Sequence, residues 1–227
     1  MVGSEVRVLS IGCSCINRFQ FDFFADRHPE LSGSFPRGLF DWNIASLEAT
    51  FRVLELAAES KLLSVLQDPG QFHVAWETLI FNGALPGFSF FHESDPKGLL
   101  LSPERSAAFL GKLAHLAQPF ITSQPNARTH LVWSNLQPNL PDTVENVIPW
   151  KDFVLTEARY IRVKDLGRKL FGSATTFSFL STPTDMSSEL GGQNDVIVVP
   201  LPRNDSYEGD PLLYESILTN VFDIQRT

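Results

Sequence analysis

The chain is poor in cysteine: Cys13 and Cys15 are the only two among 227 residues. One residue apart, they close almost no loop, and a bridge between them would be strained, which excludes a disulfide scaffold. They do not make a metal site either. Cys-x-Cys needs further ligands, and no Cys-x-x-Cys or His-x-x-x-His supplies them. No cofactor is therefore expected. Free thiols suit a reducing compartment, and a cytoplasmic location is expected. No run of about 18 apolar residues occurs, so no membrane span is expected. The opening Met-Val-Gly-Ser-Glu has neither a basic segment nor an apolar core, so no signal peptide is expected. Basic residues are outnumbered, 18 against 26 acidic, for a net charge of −8. That balance argues against nucleic-acid partners and against a basic membrane-binding patch. No repeat, low-complexity tract or linker divides the chain, so residues 1–227 read as one domain.

What is present is globular: 43% hydrophobic and 19% charged residues, with 19 Phe that imply an aromatic core or an apolar cleft. Residues 6–11 read as a buried strand. Ile16, Phe19, Phe23 and Phe24 are spaced for one face of a helix over 16–25. The stretch 28–38 holds Pro29, Gly33, Pro36 and Gly38 and reads as a loop. Ser46 is a cap for a helix over 46–66. Residues 68–101 read as an irregular Phe/Gly-rich insertion or lid with one short strand near Phe88–Phe91. Ser102-Pro103 starts a helix that runs to about Gln118. Residues 128–134, 174–180 and 195–200 read as strands, 151–171 as a helix closed by Gly172, and about 211–222 as a last helix. Alternating strands and helices predict an α/β fold: a single three-layer domain with a mainly parallel sheet, SGNH- or flavodoxin-like. Ligands of such sheets sit at the carboxyl ends of the strands. That rule gathers Gly12–Cys15, Ser134–Asn135 and Leu201–Asp205 into one candidate cleft.

Chemistry is concentrated in Gly12-Cys13-Ser14-Cys15, where the first strand hands over to a helix. A cysteine at a helix start should have a lowered thiol pKa, so Cys15 is the first candidate nucleophile, against the ordinary reading of a small buried hydrophobe. Cys13 follows the strand directly and should point into the core. Ser14 is the rival nucleophile, or else a helix N-cap. Among the five histidines, His92 ends an apolar segment and enters a polar turn, so one side of its ring is dry and the other open, as a general base requires. A solvated loop histidine is the competing reading. Asp41, between Phe40 and Trp42, is a partly buried carboxylate that either orients His92 or caps the next helix. Asn135 is a donor for an oxyanion or a turn residue. A phosphate- or sugar-bearing ligand at the helix start, without catalysis, is a further alternative.

Ser10-Ile11-Gly12-Cys13-Ser14-Cys15, Phe40-Asp41-Trp42 with Ser46-Leu47-Glu48, Asn82, and Phe91-His92 together resemble a bacterial family of uncharacterised proteins labelled papain-like cysteine peptidases. Leu201-Pro202-Arg203 and Glu208-Gly209-Asp210 are similar as well. The resemblance implies Cys15 as nucleophile, His92 as base, Asp41 as third member, and a peptide, acyl or other small-molecule substrate. Three departures stand out. Gly12-Cys13-Ser14-Cys15 replaces Gly-Ser-Asn-Cys, Arg37-Gly38-Leu39 replaces a proline before Phe-Asp-Trp, and Glu93 replaces an aspartate after the histidine. The strand-first opening differs from a papain fold. It is closer to the SGNH hydrolases and to GSCFA-domain proteins, whose nucleophile turn follows the first parallel strand. The SGNH closing Asp-x-x-His is absent, because Leu213 stands three residues after Asp210. A Ser14-dependent, SGNH-like esterase is the alternative that this opening leaves.

Overall fold

A computed structural model describes residues 6–75, 79–90, 92–122, 127–136, 147–200 and 210–224. Its centre is a four-stranded parallel sheet: β1 (Val6–Ser10), β6 (Arg128–Ser134), β7 (Thr176–Ser181) and β8 (Val196–Val198), side by side in that order. This is the flavodoxin-like strand order 2-1-3-4-5 without its outermost strand beside β1. The strands alternate between two buried faces, as the two-residue side-chain period requires. Val8, Val132 and Leu180 pack on Phe21 and Phe24 of helix α1 (Ile16–Arg27) and on Tyr214, Ile217 and Leu218 of the last helix. Leu9, Leu131, Trp133, Phe177 and Phe179 face the other way, toward helices α2 (Leu47–Ala58), α5 (Pro103–Ile121) and α6 (Glu157–Phe171). Helix, sheet and helix make three layers, as expected for an α/β domain. The last helix, α7 (Pro211–Val221), is capped by Asp210, whose carboxylate accepts from Leu212 N at 2.9 Å.

The stretch 68–101 is not the irregular insertion that its composition suggests. It supplies strands β3 (Phe72–Ala75), β4 (Leu79–Asn82) and β5 (Phe88–Phe90), which join β2 (Ile44–Ala45) in an antiparallel sheet of order β2-β5-β4-β3. Gly87, at φ +78°, makes the turn into β5. Its carbonyl accepts from Ser46 N at 2.9 Å, and a β-carbon there would collide with the Ser46 hydroxyl. The phenylalanines build a core. Rings of Phe72, Phe109, Phe90, Phe88, Phe40 and Phe120 follow one another at centroid distances of 5.1–5.6 Å, joining the second sheet to α5. Each such pair adds about 0.5–1.5 kcal/mol to the burial of the rings themselves.

Several element bounds differ from expectation for identifiable reasons. The helix expected over 46–66 ends at Ala58, because Ser60 turns left-handed at φ 58° and Lys61 N donates back to Leu56 O at 2.7 Å. A separate turn of helix, α3 (Leu62–Leu66), follows. Helix α6 starts at Glu157 rather than 151, since Trp150–Phe153 forms a 3-10 turn and Thr156 takes the cap. Gly172, at φ +97°, closes α6. Helix α5 begins at Pro103 under the Ser102 cap and continues past Gln118 to Ile121. A short helix, α4 (Pro96–Leu101), precedes it. The buried face of α1 carries Asn17, Arg18, Gln20, Phe21 and Phe24, whereas the expected Phe19 and Phe23 are only half-buried.

Candidate active site

The turn after β1 is held to β6 by its backbone. Ile11 N donates to Val132 O at 2.9 Å and Cys13 N to Ser134 O at 3.1 Å. Gly12 permits this approach, because a β-carbon there would lie 3.0 Å from Ser134 N and 2.5 Å from Asn17 Nδ2. Asn17 is wholly buried. Its amide donates to Ser10 Oγ and to Val132 O, both at 3.0 Å, and its oxygen accepts from Tyr214 OH at 2.7 Å. One asparagine thus ties the turn to β6 and α7. Nothing in the apolar spacing marked Asn17, or Arg18 beside it. The only signal was a pair of polar residues on the first turn of a helix that the fold buries.

Cys13 points inward. Its thiol donates to Ser134 O at 2.8 Å among Ile44, Leu79, Phe81, Ile148 and Phe153. The antiparallel sheet is anchored at the same residue, by Ala45 N donating to Cys13 O at 3.1 Å. Ser14 is not the N-cap of α1. That position is Cys15, and no side chain caps the helix. The Ser14 hydroxyl is buried and has no hydrogen-bond partner among the described residues.

Cys15 is 8% exposed, and its carbonyl accepts the hydrogen bond from Phe19 N at 3.2 Å, one turn along α1. Burial pushes its thiol pKa up, and a hydrogen bond from its own backbone offsets only part of that rise. The lowering expected from the helix start is overturned: lost hydration of the thiolate outweighs the helix dipole. In the resting protein Cys15 is a neutral thiol.

Asp41 is 1% exposed. Its carboxylate accepts from Gly38 N at 2.7 Å and faces Arg18 Nη1 at 3.8 Å. Burial raises its pKa to about 6, against the pull of the Gly38 N–H and of Arg18 and Arg37. It does not cap α2, since Ser46 does so by accepting from Ala49 N. Arg18 also binds Asp22 and donates to Phe35 O at 3.0 Å, so Asp41 belongs to a charge cluster along α1.

His92 stands in the turn after β5, exposed overall, with its ring edge-on to Trp42 at 5.9 Å. Trp42 in turn meets Phe19 edge-on at 5.3 Å. Partial burial lowers the imidazole pKa, Lys112 lowers it further, and Glu93 opposes them; Lys112 itself is paired with Glu93 at 2.6 Å. The ring is therefore neutral at pH 7. Among the described residues, no hydrogen bond runs from Cys15 or Asp41 to this ring. Among the described residues the three candidates do not form a hydrogen-bonded triad: Asp41 faces Arg18 on α1, and His92 meets Trp42, which meets Phe19 on the same helix.

Asn135 is not placed as an oxyanion donor. Its amide N–H groups are spent on Phe153 O at 3.0 Å and Asp185 O at 3.4 Å, so the side chain staples the end of β6 to the neighbouring loops. Leu201–Asp205, Glu208-Gly209 and Phe91 lie outside the described residues. Comparison with known proteins gives no match to a family model, a curated protein or a solved structure. Among the described residues no helix is long and apolar enough to cross a membrane, and no group of three His, Cys, Asp or Glu side chains is arranged to hold a metal ion.

Proposed function

We propose that this chain is a cysteine-dependent acyl hydrolase or transferase, of the peptidase or esterase type, with Cys15 as nucleophile and His92 as its base. The observation that supports the reading is the run of ring contacts from Phe19 through Trp42 to His92. It links the neutral imidazole, through Trp42, to Phe19, which lies one turn along α1 from Cys15. A neutral thiol and a neutral imidazole suit general-base activation rather than a resting ion pair. In that chemistry Cys15 Sγ forms a bond to the acyl carbon while His92 takes the thiol proton. The tetrahedral oxyanion sits against backbone N–H groups of the Ser14–Asn17 turn, which carry the positive end of the α1 dipole. The leaving group takes its proton from His92. Water then attacks the thioester and gives a proton to His92; the C–S bond breaks, and His92 returns that proton to the departing sulfur, which restores the neutral Cys15 thiol and the neutral imidazole. Asp41 is a positioning residue: its bond to Gly38 N closes the turn that presents Trp42 to His92.

The resemblance to the papain-like cysteine peptidase label assigns the same two groups. The substrate is a peptide or small acyl compound, and two free thiols fit a reducing cytoplasm. The unpartnered Ser14 hydroxyl favours one rival, an SGNH-like esterase that uses Ser14. A panel of aryl esters, thioesters and peptide amides separates the two. Under the proposal Cys15→Ala abolishes turnover and Ser14→Ala spares it. The reverse pattern establishes the serine reading, and turnover that survives both substitutions removes both.

A further inference from the structure

Arg7 on β1 is 5% exposed. Its Nε donates to Thr129 Oγ1 at 3.0 Å on the adjacent strand, and its guanidinium carbon stands 5.0 Å from the centre of the Phe171 ring. These two contacts fix the plane of the group. No acid pairs with it among the described residues, and burial is the sole influence on its pKa, which it lowers. A guanidinium stays charged at any ordinary pH, and a charge withdrawn from water is held at a cost unless an opposite charge meets it. Beside it opens a cavity of about 510 Å³. Phe120, Ile121, Leu170 and Phe171 wall the cavity, and Thr122 and Ser173 add hydroxyl-bearing side chains. It lies at the opposite end of β1 from the Gly12 turn.

We infer that this cavity is a binding site for a monocarboxylate with an apolar tail. With Nε spent on Thr129, the guanidinium presents its two Nη groups end-on, one fork for one carboxylate. A phosphate monoester would bring nearly two charges to a single cation. The side chains of Phe120, Leu170 and Phe171 give a hydrocarbon or aryl tail apolar contact beside the polar groups that line the rest, and the volume is that of small-ligand sites. The competing account gives the guanidinium to the carbonyl ends of α5 and α6, which border the cavity. None of the hydrogen bonds described for Arg7 ends on a carbonyl.

The test titrates the full chain with hexanoate, with hexanamide and inorganic phosphate as controls, and follows the Arg7 Nε–H resonance and the melting temperature. The site predicts a saturable shift with hexanoate and at least about tenfold weaker binding of both controls. Arg7→Met should weaken hexanoate at least tenfold and leave the unliganded melting temperature unchanged or higher, as expected when an unpaired buried charge becomes an apolar side chain. Cys15→Ala should bind hexanoate as the parent does. Absence of a saturable shift up to about 10 mM, equal binding of the amide, or undiminished binding by Arg7→Met overturns the proposal. A melting temperature that falls in Arg7→Met, with no hexanoate response in the parent, assigns the side chain to the fold and overturns it too.

Discussion

Replacing Gly12 by alanine would strike the turn that carries Cys15. The new β-carbon would stand 3.0 Å from Ser134 N, a backbone atom fixed in the sheet, and 2.5 Å from the Asn17 amide. Two relaxations are open. If Asn17 rotates, the Tyr214 hydroxyl loses its acceptor and Ser10 and Val132 each lose a donor. A buried polar group left unsatisfied costs about 1–3 kcal/mol. If the turn moves instead, overpacking costs about 1–3 kcal/mol, and the Cys13–Ser134 backbone bond lengthens. Either route gives a loss of about 1–3 kcal/mol. For a chain of this size that lowers Tm by roughly 2–12 °C. Urea unfolding and calorimetry read the change. Gly33→Ala, where a β-carbon meets nothing within 4 Å, should stay within about 0.5 kcal/mol of the parent and serves as control. Parental stability in Gly12→Ala would refute the packing of this turn against β6, and with it the position given to Cys15.

Other glycines and two buried titratable groups give further tests. Gly167→Ala should destabilise by about 1–3 kcal/mol, because its β-carbon would press on Phe177 and Leu131. Gly111→Ala, exposed within α5 with open space around it, should stabilise by about 0.5–1 kcal/mol in the same unfolding assay. Burial raises the Asp41 carboxyl from 3.8 to about 6, so the folded state holds that proton more tightly than the unfolded chain does. Its contribution is complete below about pH 4 and is lost as pH rises through 6, for a difference of about 3 kcal/mol. Asp41→Asn should flatten that part of the stability curve; parallel curves for variant and parent would contradict the burial of the carboxyl. His130 runs the other way. Bonded to Thr176 and Ser178 hydroxyls and buried, it is lowered to about 4 from 6.5. Its contribution is present above about pH 6.5 and fades as pH falls toward 4, by about 3 kcal/mol. His130→Gln should remove that slope in urea unfolding across the same range.

The parallel half of the fold was legible because its signals are local. Val6–Ser10, Arg128–Ser134 and Thr176–Ser181 are short apolar or β-prone runs, and Ser46, Ser102-Pro103 and Gly172 mark helix ends by their own side-chain and backbone chemistry. Apart from the strand expected near Phe88–Phe91, which is present as Phe88–Phe90, the antiparallel sheet was hidden for the opposite reason. Its strands are two to four residues long, sit among Gly, Pro and Asn, and are defined by pairings such as Ile44 with Ser89 that no window of sequence contains. At the site, the inward turn of Cys13 followed from its place after a strand. The protonation state of Cys15 did not, because the helix start is visible in sequence and the side chains that bury it are not. Asn135 fails as a free donor because its partners, Phe153 and Asp185, come from distant loops. Asp41 was legible as a buried carboxylate between aromatics, but its hydrogen bond from Gly38 N and its ion pair with Arg18 were not.

The proposed pairing of Cys15 with His92 is most directly tested by the pH dependence of Cys15 alkylation by iodoacetamide, in a Cys13→Ser background that keeps a donor toward Ser134 O. A base that serves a neutral thiol predicts reaction persisting below neutrality, with an inflection under pH 6.5 at the imidazole titration, and loss of that limb in His92→Ala, which should react only as the thiolate forms at high pH. Superimposable profiles in the two proteins would contradict the pairing.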